Sequence, residues 1–208
     1  MGNNIITLDG LYFLGNRNYI QGGTIYEAIL PKISQVFSKL VNLDFTYRAI
    51  ISKDLIFYEK QQNNKEIKVV LTLENENGKY RFYGYHQEDA NDIQLRIPYD
   101  EEEILRTARI NNNGICLKDF KQQISVVRYV IAMNKALLSF LFKDDIKDSK
   151  WFLSRLTLNQ MIDEGKIKEI CLKYCSKFEF QIVKTEIFVN QISVGFIYFS
   201  LKGSNYVS

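Results

Sequence analysis

A chain of 208 residues with 46% hydrophobic side chains can bury a substantial core, as one domain or two small ones. Its 14 Phe and 13 Tyr, against 2 Pro and 11 Gly, exclude a disordered chain, which lacks the apolar surface to offset ordering entropy. A net charge of +3, with charges mixed along every predicted element, gives no basic field, so nucleic-acid binding is not expected.

The N-terminus, MGNNIITLDG, carries no basic stretch followed by an apolar core, so no secretory signal is expected. The most apolar helix candidate, Val126 to Phe142, is interrupted by Arg128 and Lys135 and falls short of a membrane span. These features predict a cytoplasmic protein with no membrane partner. Cys171 and Cys175 are close in sequence, Cys116 is isolated, and His86 is the one histidine, too few ligands for a zinc site. Free thiols in a reducing compartment are the expectation, with no metal and no cofactor.

In chain order, a short start, NIITLDGLYFL, leads to a Gly-Gly step at Gly22 and Gly23. A helix capped by Thr24 is predicted to run through TIYEAIL and KISQVFSKLV. Its residues Ile25, Ile29, Ile33, Val36, Phe37 and Leu40 recur at three- and four-residue steps, the spacing of one buried face. Pro31 removes a backbone donor inside this pattern, so a kink is expected. Four strand signals follow, in LDFTYRAI, DLIFYEK, EIKVVLTLE and KYRFYGYHQ, with Asn77 and Gly78 turning the last pair.

The linker DIQLRIPYDEEE ends in the acidic run from Asp100 to Glu103, read as a solvated connection or as negative charge at a helix start. ILRTARI then turns at Asn111 to Gly114 into GICLKDF. A second helix is predicted from about Gln122 to Phe142, with Val127, Val130, Ile131, Leu137, Leu138 and Leu141 on its apolar side. Four strand signals follow again, in WFLSRLTL, IKEICLKYC, FEFQIVKTEIFV and SVGFIYFSL, the last pair turning near Asn190. Phe45-x-x-Arg48 and Phe152-x-x-Arg155 echo each other after the two helices.

The repeated order divides the chain into residues 1–95 and 96–208. A helix followed by antiparallel strands buries its apolar face best when the sheet curls around it, and a second half can pair the edge that the first leaves open. The expected fold is therefore α+β: a double hotdog, two long central helices wrapped by a continuous curved antiparallel sheet.

The segment from Tyr12 to Ile29 resembles the signature of hotdog β-hydroxyacyl-carrier-protein dehydratases. That family shows His-Phe-Pro-Gly, a short loop, Pro-Gly, and a helix carrying Leu-x-Glu-Ala. Phe13, Gly15, Gly22, Glu27 and Ala28 match it, with one inserted residue in the loop. The family's catalytic histidine falls on Tyr12 and its proline on Leu14. Dehydration needs a base for the α-proton, a task that suits histidine, whereas a tyrosine with pKa of about 10 is a poor substitute.

The resemblance implies a site at the start of the first helix, with Glu27 as general acid or base and Tyr12 beside it. It also implies that backbone N–H groups at Gly22, Gly23 and Thr24 bind a thioester oxygen. Two plainer readings stay open: Thr24-x-x-Glu27 is also a capping box, and glycines here also permit a tight approach to the helix. Asn16, Arg17 and Tyr19 on the loop can orient substrate or lie at the surface. The second helix carries Arg128, Asn134 and Lys135 but no Glu-Ala motif, so the second repeat is expected to be structural.

The resemblance implies a protein acting on an acyl thioester, acyl-CoA or acyl-carrier protein, with hydrolysis better suited than dehydration and transfer not separable from it. The alternative is a non-catalytic hotdog that binds an acyl or aromatic ligand or assembles with a partner enzyme. Association as a homodimer is left open.

Overall fold

The computed structural model describes residues 4–121, 123–143, 149–179 and 181–203. It resolves into two compact units, the first running to Asp100 and including Asn159–Met161, the second comprising Glu101–Leu158 and the chain from Ile162 onward.

In the first unit, β1 (Ile5–Leu8) and β2 (Phe13–Leu14) precede α1 (Gly22–Val36), and β3 (Asn42–Tyr47), β4 (Leu55–Tyr58), β5 (Val69–Asn75) and β6 (Gly78–His86) follow. The main strands lie in the order β1-β4-β6-β5-β3, every neighbouring pair antiparallel. Ile25, Ile29 and Ile33 are fully buried, as their helical spacing predicts. Phe45, Phe57, Leu71 and Phe82, at alternate positions along the strands, are fully buried too. The helix continues through Pro31, which lacks the N–H that would otherwise bond to the Glu27 carbonyl.

Three expectations for this half are corrected. Thr24 does not cap α1: Gln21 holds the N-cap position, and Thr24 is the third helical residue. The capping box with Glu27 therefore does not form. The helix also ends at Val36, before SKLV, with Phe37 as C-cap, and Val36, expected on the buried face, is exposed. The linker is more than a solvated connection, because it contains β7 (Arg96–Ile97), which pairs in parallel with β2 through Phe13–Arg96 and Leu14–Ile97.

The second unit begins with α2 (Glu101–Ile104), whose first turn carries Glu101, Glu102 and Glu103, the charge that a helix start favours. Strands β8 (Arg109–Asn111) and β9 (Gly114–Leu117) lead to α3 (Val126–Leu141). Gln122, the expected start of this helix, lies outside the described residues. Ser125 caps α3, its side chain accepting from the Arg128 N–H, a replacement for backbone partners that the first turn lacks. Then come β10 (Ser149–Leu158), β11 (Ile170–Phe178), β12 (Ile182–Val189) and β13 (Ile192–Gly203), in the order β10-β13-β12-β11-β9-β8. Asn190 and Gln191 both adopt positive φ between β12 and β13, the backbone of a two-residue hairpin turn.

The two halves share their order along the chain but not within the sheet. In the first, the chain crosses from β4 through residues 59–68, so β5 lies beside β3 and β6 beside β4. In the second, only three residues of sequence separate β11 from β12, and the two strands pair directly, leaving β13 beside β10. Loop length decides which end of the last hairpin meets the preceding strand.

The expectation of free thiols is also corrected. Cys116 on β9 and Cys171 on β11 are direct cross-strand partners, 4.1 Å apart at Cα, and form a disulfide. Only Cys175 is a free thiol, and it is exposed. Register, which spacing in the sequence does not reveal, brings the two sulfurs together.

Candidate functional site

The site residues expected from the sequence gather around the loop that enters α1. Asp54 holds the approach, its carboxylate accepting from the N–H groups of Gly10 at 3.1 Å and Leu11 at 2.9 Å. Pairing of β2 with β7 fixes Phe13 and Leu14. One nitrogen of the Arg96 guanidinium then donates to the carbonyls of Gly15 and Arg17, both at 2.6 Å. These are charge-assisted bonds on a loop that has no ladder of its own. Arg96 also lies over the Phe13 ring, and Arg17 over the Tyr99 ring at 5.4 Å. Asn16 is exposed, while Arg17 and Tyr19 are half-buried.

Gly22, Gly23 and Thr24, the first three residues of α1, are all buried. The N–H groups of Thr24 and Ile25 turn back to the Gln21 carbonyl. Those of Gly22 and Gly23 precede the intrahelical ladder, and the Gln21 side chain does not cap the helix. The Thr24 hydroxyl is 1% exposed and has no hydrogen-bond partner among the described residues. Such a group, desolvated and unpaired, costs about 1–3 kcal/mol unless something meets it. Tyr47 donates to the Gly22 carbonyl at 3.1 Å and fixes this turn from β3. Burial, and then the neighbouring Tyr26, push the Tyr47 pKa up, so its phenol stays a neutral donor.

Glu27 and Tyr12 do come together, with the phenol donating to a Glu27 carboxylate oxygen at 3.5 Å, long for a hydrogen bond. Helical side chains lean toward the N-terminus, so residue 27 shares a face with residue 23 one turn before it. A half-buried carboxylate, a phenol, two backbone donors and a buried hydroxyl are thus grouped at one helix end. Arg96, Tyr47 and Asp54 were missed from the sequence. They come from distant strands and loops, and no local motif marks them.

The start of α3 is built differently. Besides the Ser125 cap, the Val126 N–H donates to a Glu164 carboxylate oxygen at 3.2 Å. An internal anion therefore occupies the position that α1 leaves open. Lys135 pairs with Glu101 at 3.2 Å, and Asn134 is wholly buried with neither end of its amide partnered among the described residues. The start of α3 is thus satisfied from within by Ser125 and Glu164.

His86 accepts from the Ser52 N–H at 3.3 Å through Nε2. Burial first, then Lys68 and Lys53, hold its pKa below the ordinary value, so the neutral ring is the native form. The unfolded chain then binds the proton better, and stability falls as pH drops through the unfolded-state pKa of about 6.5. Thermal unfolding on either side of that pH should show the loss, and His86→Gln should reduce it; an identical slope in the variant contradicts the assignment.

No family model matches the sequence, and no curated protein matches it. Solved structures do. The dehydratase domain of PpsC from Mycobacterium tuberculosis in complex with C12:1-CoA is 7% identical, with a TM-score of 0.54 over 96% of this chain and 93% of that one. A second structure of the PpsC dehydratase domain gives 8% identity and a TM-score of 0.52, over 97% and 92% of the two chains. The pyran synthase domain from module nine of the sorangicin pathway gives 7% and 0.50, over 97% and 91%. At such identities the likeness is one of fold, and the fold that this chain shares with them is the hotdog fold.

Proposed function

We propose that the protein acts on acyl thioesters, carried by coenzyme A or an acyl-carrier protein, and that the start of α1 is its reaction site. The observation that carries this reading is the uncapped helix end, where the Gly22 and Gly23 N–H groups and the Thr24 hydroxyl lie one turn from Glu27. The thioester carbonyl accepts from these donors, and the helix dipole favours the negative charge that develops on its oxygen. Glu27 takes a proton from water as the water attacks the carbonyl carbon, and the thiol leaves with a proton. Tyr12 orients the Glu27 carboxylate. Arg96 keeps the loop bearing Asn16, Arg17 and Tyr19 in place for the acyl carrier.

Hydrolysis fits these groups better than dehydration, because a tyrosine stands where the dehydratase signature has its histidine. The dehydratase domain whose structure holds C12:1-CoA supports the substrate class through the shared fold. A cytoplasmic setting belongs to the same proposal, and there the Cys116–Cys171 bond would open and close with redox state rather than stay permanently shut.

Release of free thiol from a panel of acyl-CoA thioesters tests the reading. Glu27→Gln should lower turnover about a hundredfold or more, and Tyr12→Phe by a smaller factor. A folded native protein that binds acyl ligands without turning any over would give the site to the non-catalytic reading.

A further inference from the structure

The Cys116–Cys171 bond lies in a row of directly paired residues. Arg109 on β8 faces Cys116, Cys116 faces Cys171 on β11, and Cys171 faces Phe188 on β12. Paired residues share one face of the sheet, with Cβ atoms roughly 4.5–5.5 Å apart. The neighbours Ile115, Leu117, Ile170 and Leu172 are buried on the opposite face, whereas both cysteines are half-buried on the side toward solvent. Beside them is a cavity of about 610 Å³ whose lining includes Cys116, Arg106, Arg109, Lys118 and Asp119. Lys118 pairs with Glu169 at 3.3 Å, and Arg106 and Arg109 are exposed.

A thiolate attacks a disulfide along the S–S axis, from behind the sulfur that it joins. The bond joins Cys116 to its direct partner on β11, so β8 lies beyond Cys116 and β12 beyond Cys171. The path to Cys116 therefore enters from the β8 side, where the arginines and the cavity are. Cys171, whose β12 partner is Phe188, does not line the cavity. Access and charge select the same sulfur.

We propose that this cavity is an exchange site for an anionic low-molecular-weight thiol, one bearing carboxylate or phosphate groups, and that Cys116 is the sulfur attacked. Arg106 and Arg109 receive the anionic groups and raise the local concentration of the thiolate. The thiolate RS⁻ forms a bond to Cys116 Sγ, the S–S bond breaks, and its electron pair leaves on Cys171 Sγ, which takes a proton from water. A second RS⁻ attacks the sulfur of R, releasing RSSR and the Cys116 thiolate. Two thiols are oxidised to one disulfide while the protein bond is reduced to two thiols. The proposal does not depend on the reaction assigned to α1.

The test measures reduction of the full chain on a Cys175→Ser background, by acid quench, alkylation and intact mass. Glutathione, coenzyme A, mercaptoethanol and cysteamine are compared at equal thiolate concentration. The anionic thiols should react at least tenfold or so faster than neutral mercaptoethanol, with cysteamine slowest, and the gap should close at high salt. Whichever of glutathione and coenzyme A is faster identifies carboxylate or phosphate as the recognised group. Peptide mapping should find the mixed disulfide on Cys116, and an Arg106→Gln, Arg109→Gln double variant should lose the anionic advantage while keeping its mercaptoethanol rate. Equal rates for all four thiols with the native arginines, or an adduct on Cys171, would overturn the proposal.

Discussion

Alanine at Gly195 is expected to destabilise the protein by about 3–5 kcal/mol, the range reserved for substitutions with a named structural cause. Gly195 lies in β13, opposite Leu158 of β10 and Ile187 of β12, beside the irregularity where β12 and β13 shift register. Its φ of +150° is one that L side chains rarely adopt. A Cβ there would sit 1.9 Å from the Thr157 carbonyl oxygen and 2.8 Å from its carbon, both backbone atoms that no rotamer change can move. Relief requires β13 to separate from β10 along the longest ladder of the second unit, which loses hydrogen bonds and core contacts together. Gly78→Ala isolates the conformational part, because Gly78 also has a positive φ but nothing stands within 4 Å of its added Cβ. That variant should lose only about 1 kcal/mol. Urea unfolding of both variants checks the difference, and equal losses would mean that the contact with Thr157 relaxes freely.

Reduction of the Cys116–Cys171 bond should have an effect of similar size. The bond joins residues 55 apart in sequence, and α3 lies wholly within the closed segment. Constraining a loop of that length removes denatured-state entropy equivalent to about 4 kcal/mol. The native ladder between β9 and β11 persists without the bond, so the fold should survive with its urea midpoint lowered by about 1–2 M. Cys116→Ser should reproduce the midpoint of the reduced protein, and Cys175→Ser should not move it. Coincident unfolding curves with and without reductant would contradict this account.

The sequence displays its helices because each buries one face: the Ile25, Ile29 and Ile33 spacing survives folding intact. Strands were equally legible from aromatic and β-branched runs, down to the turn at Asn190. Caps were less so. Thr24 and Ser125 both look like cap residues, yet only Ser125 caps, since the Gly-Gly step lets α1 begin two residues before Thr24. Sheet order and the disulfide depend on which strands meet and in what register, information carried by loop length and packing rather than by local pattern. The candidate site divides along the same line. Tyr12, Gly22, Gly23, Thr24 and Glu27 lie within one short segment and were found from it. Arg96, which ties the loop down from a strand inside the apparent linker, carries no local signal at all.

On the proposed function, the contrast between the two helix ends would let one chain keep a single reaction site. Ser125 and Glu164 satisfy the start of α3 from within, so a ligand carbonyl there would have to displace a carboxylate. At α1 the same donors have no such plug among the described residues, and the buried Thr24 hydroxyl adds a further group that a ligand oxygen would satisfy.

Amide NMR of the protein titrated with a non-hydrolysable acyl-CoA thioether ketone tests the central claim most directly, because the ketone keeps the carbonyl and cannot turn over. The account predicts that the Gly22 and Gly23 amide protons shift downfield and gain protection from exchange, with smaller changes at Tyr12 and Glu27. Binding that leaves both glycine amides unmoved, or that moves instead the amides around Ser125 and Val126, would contradict it.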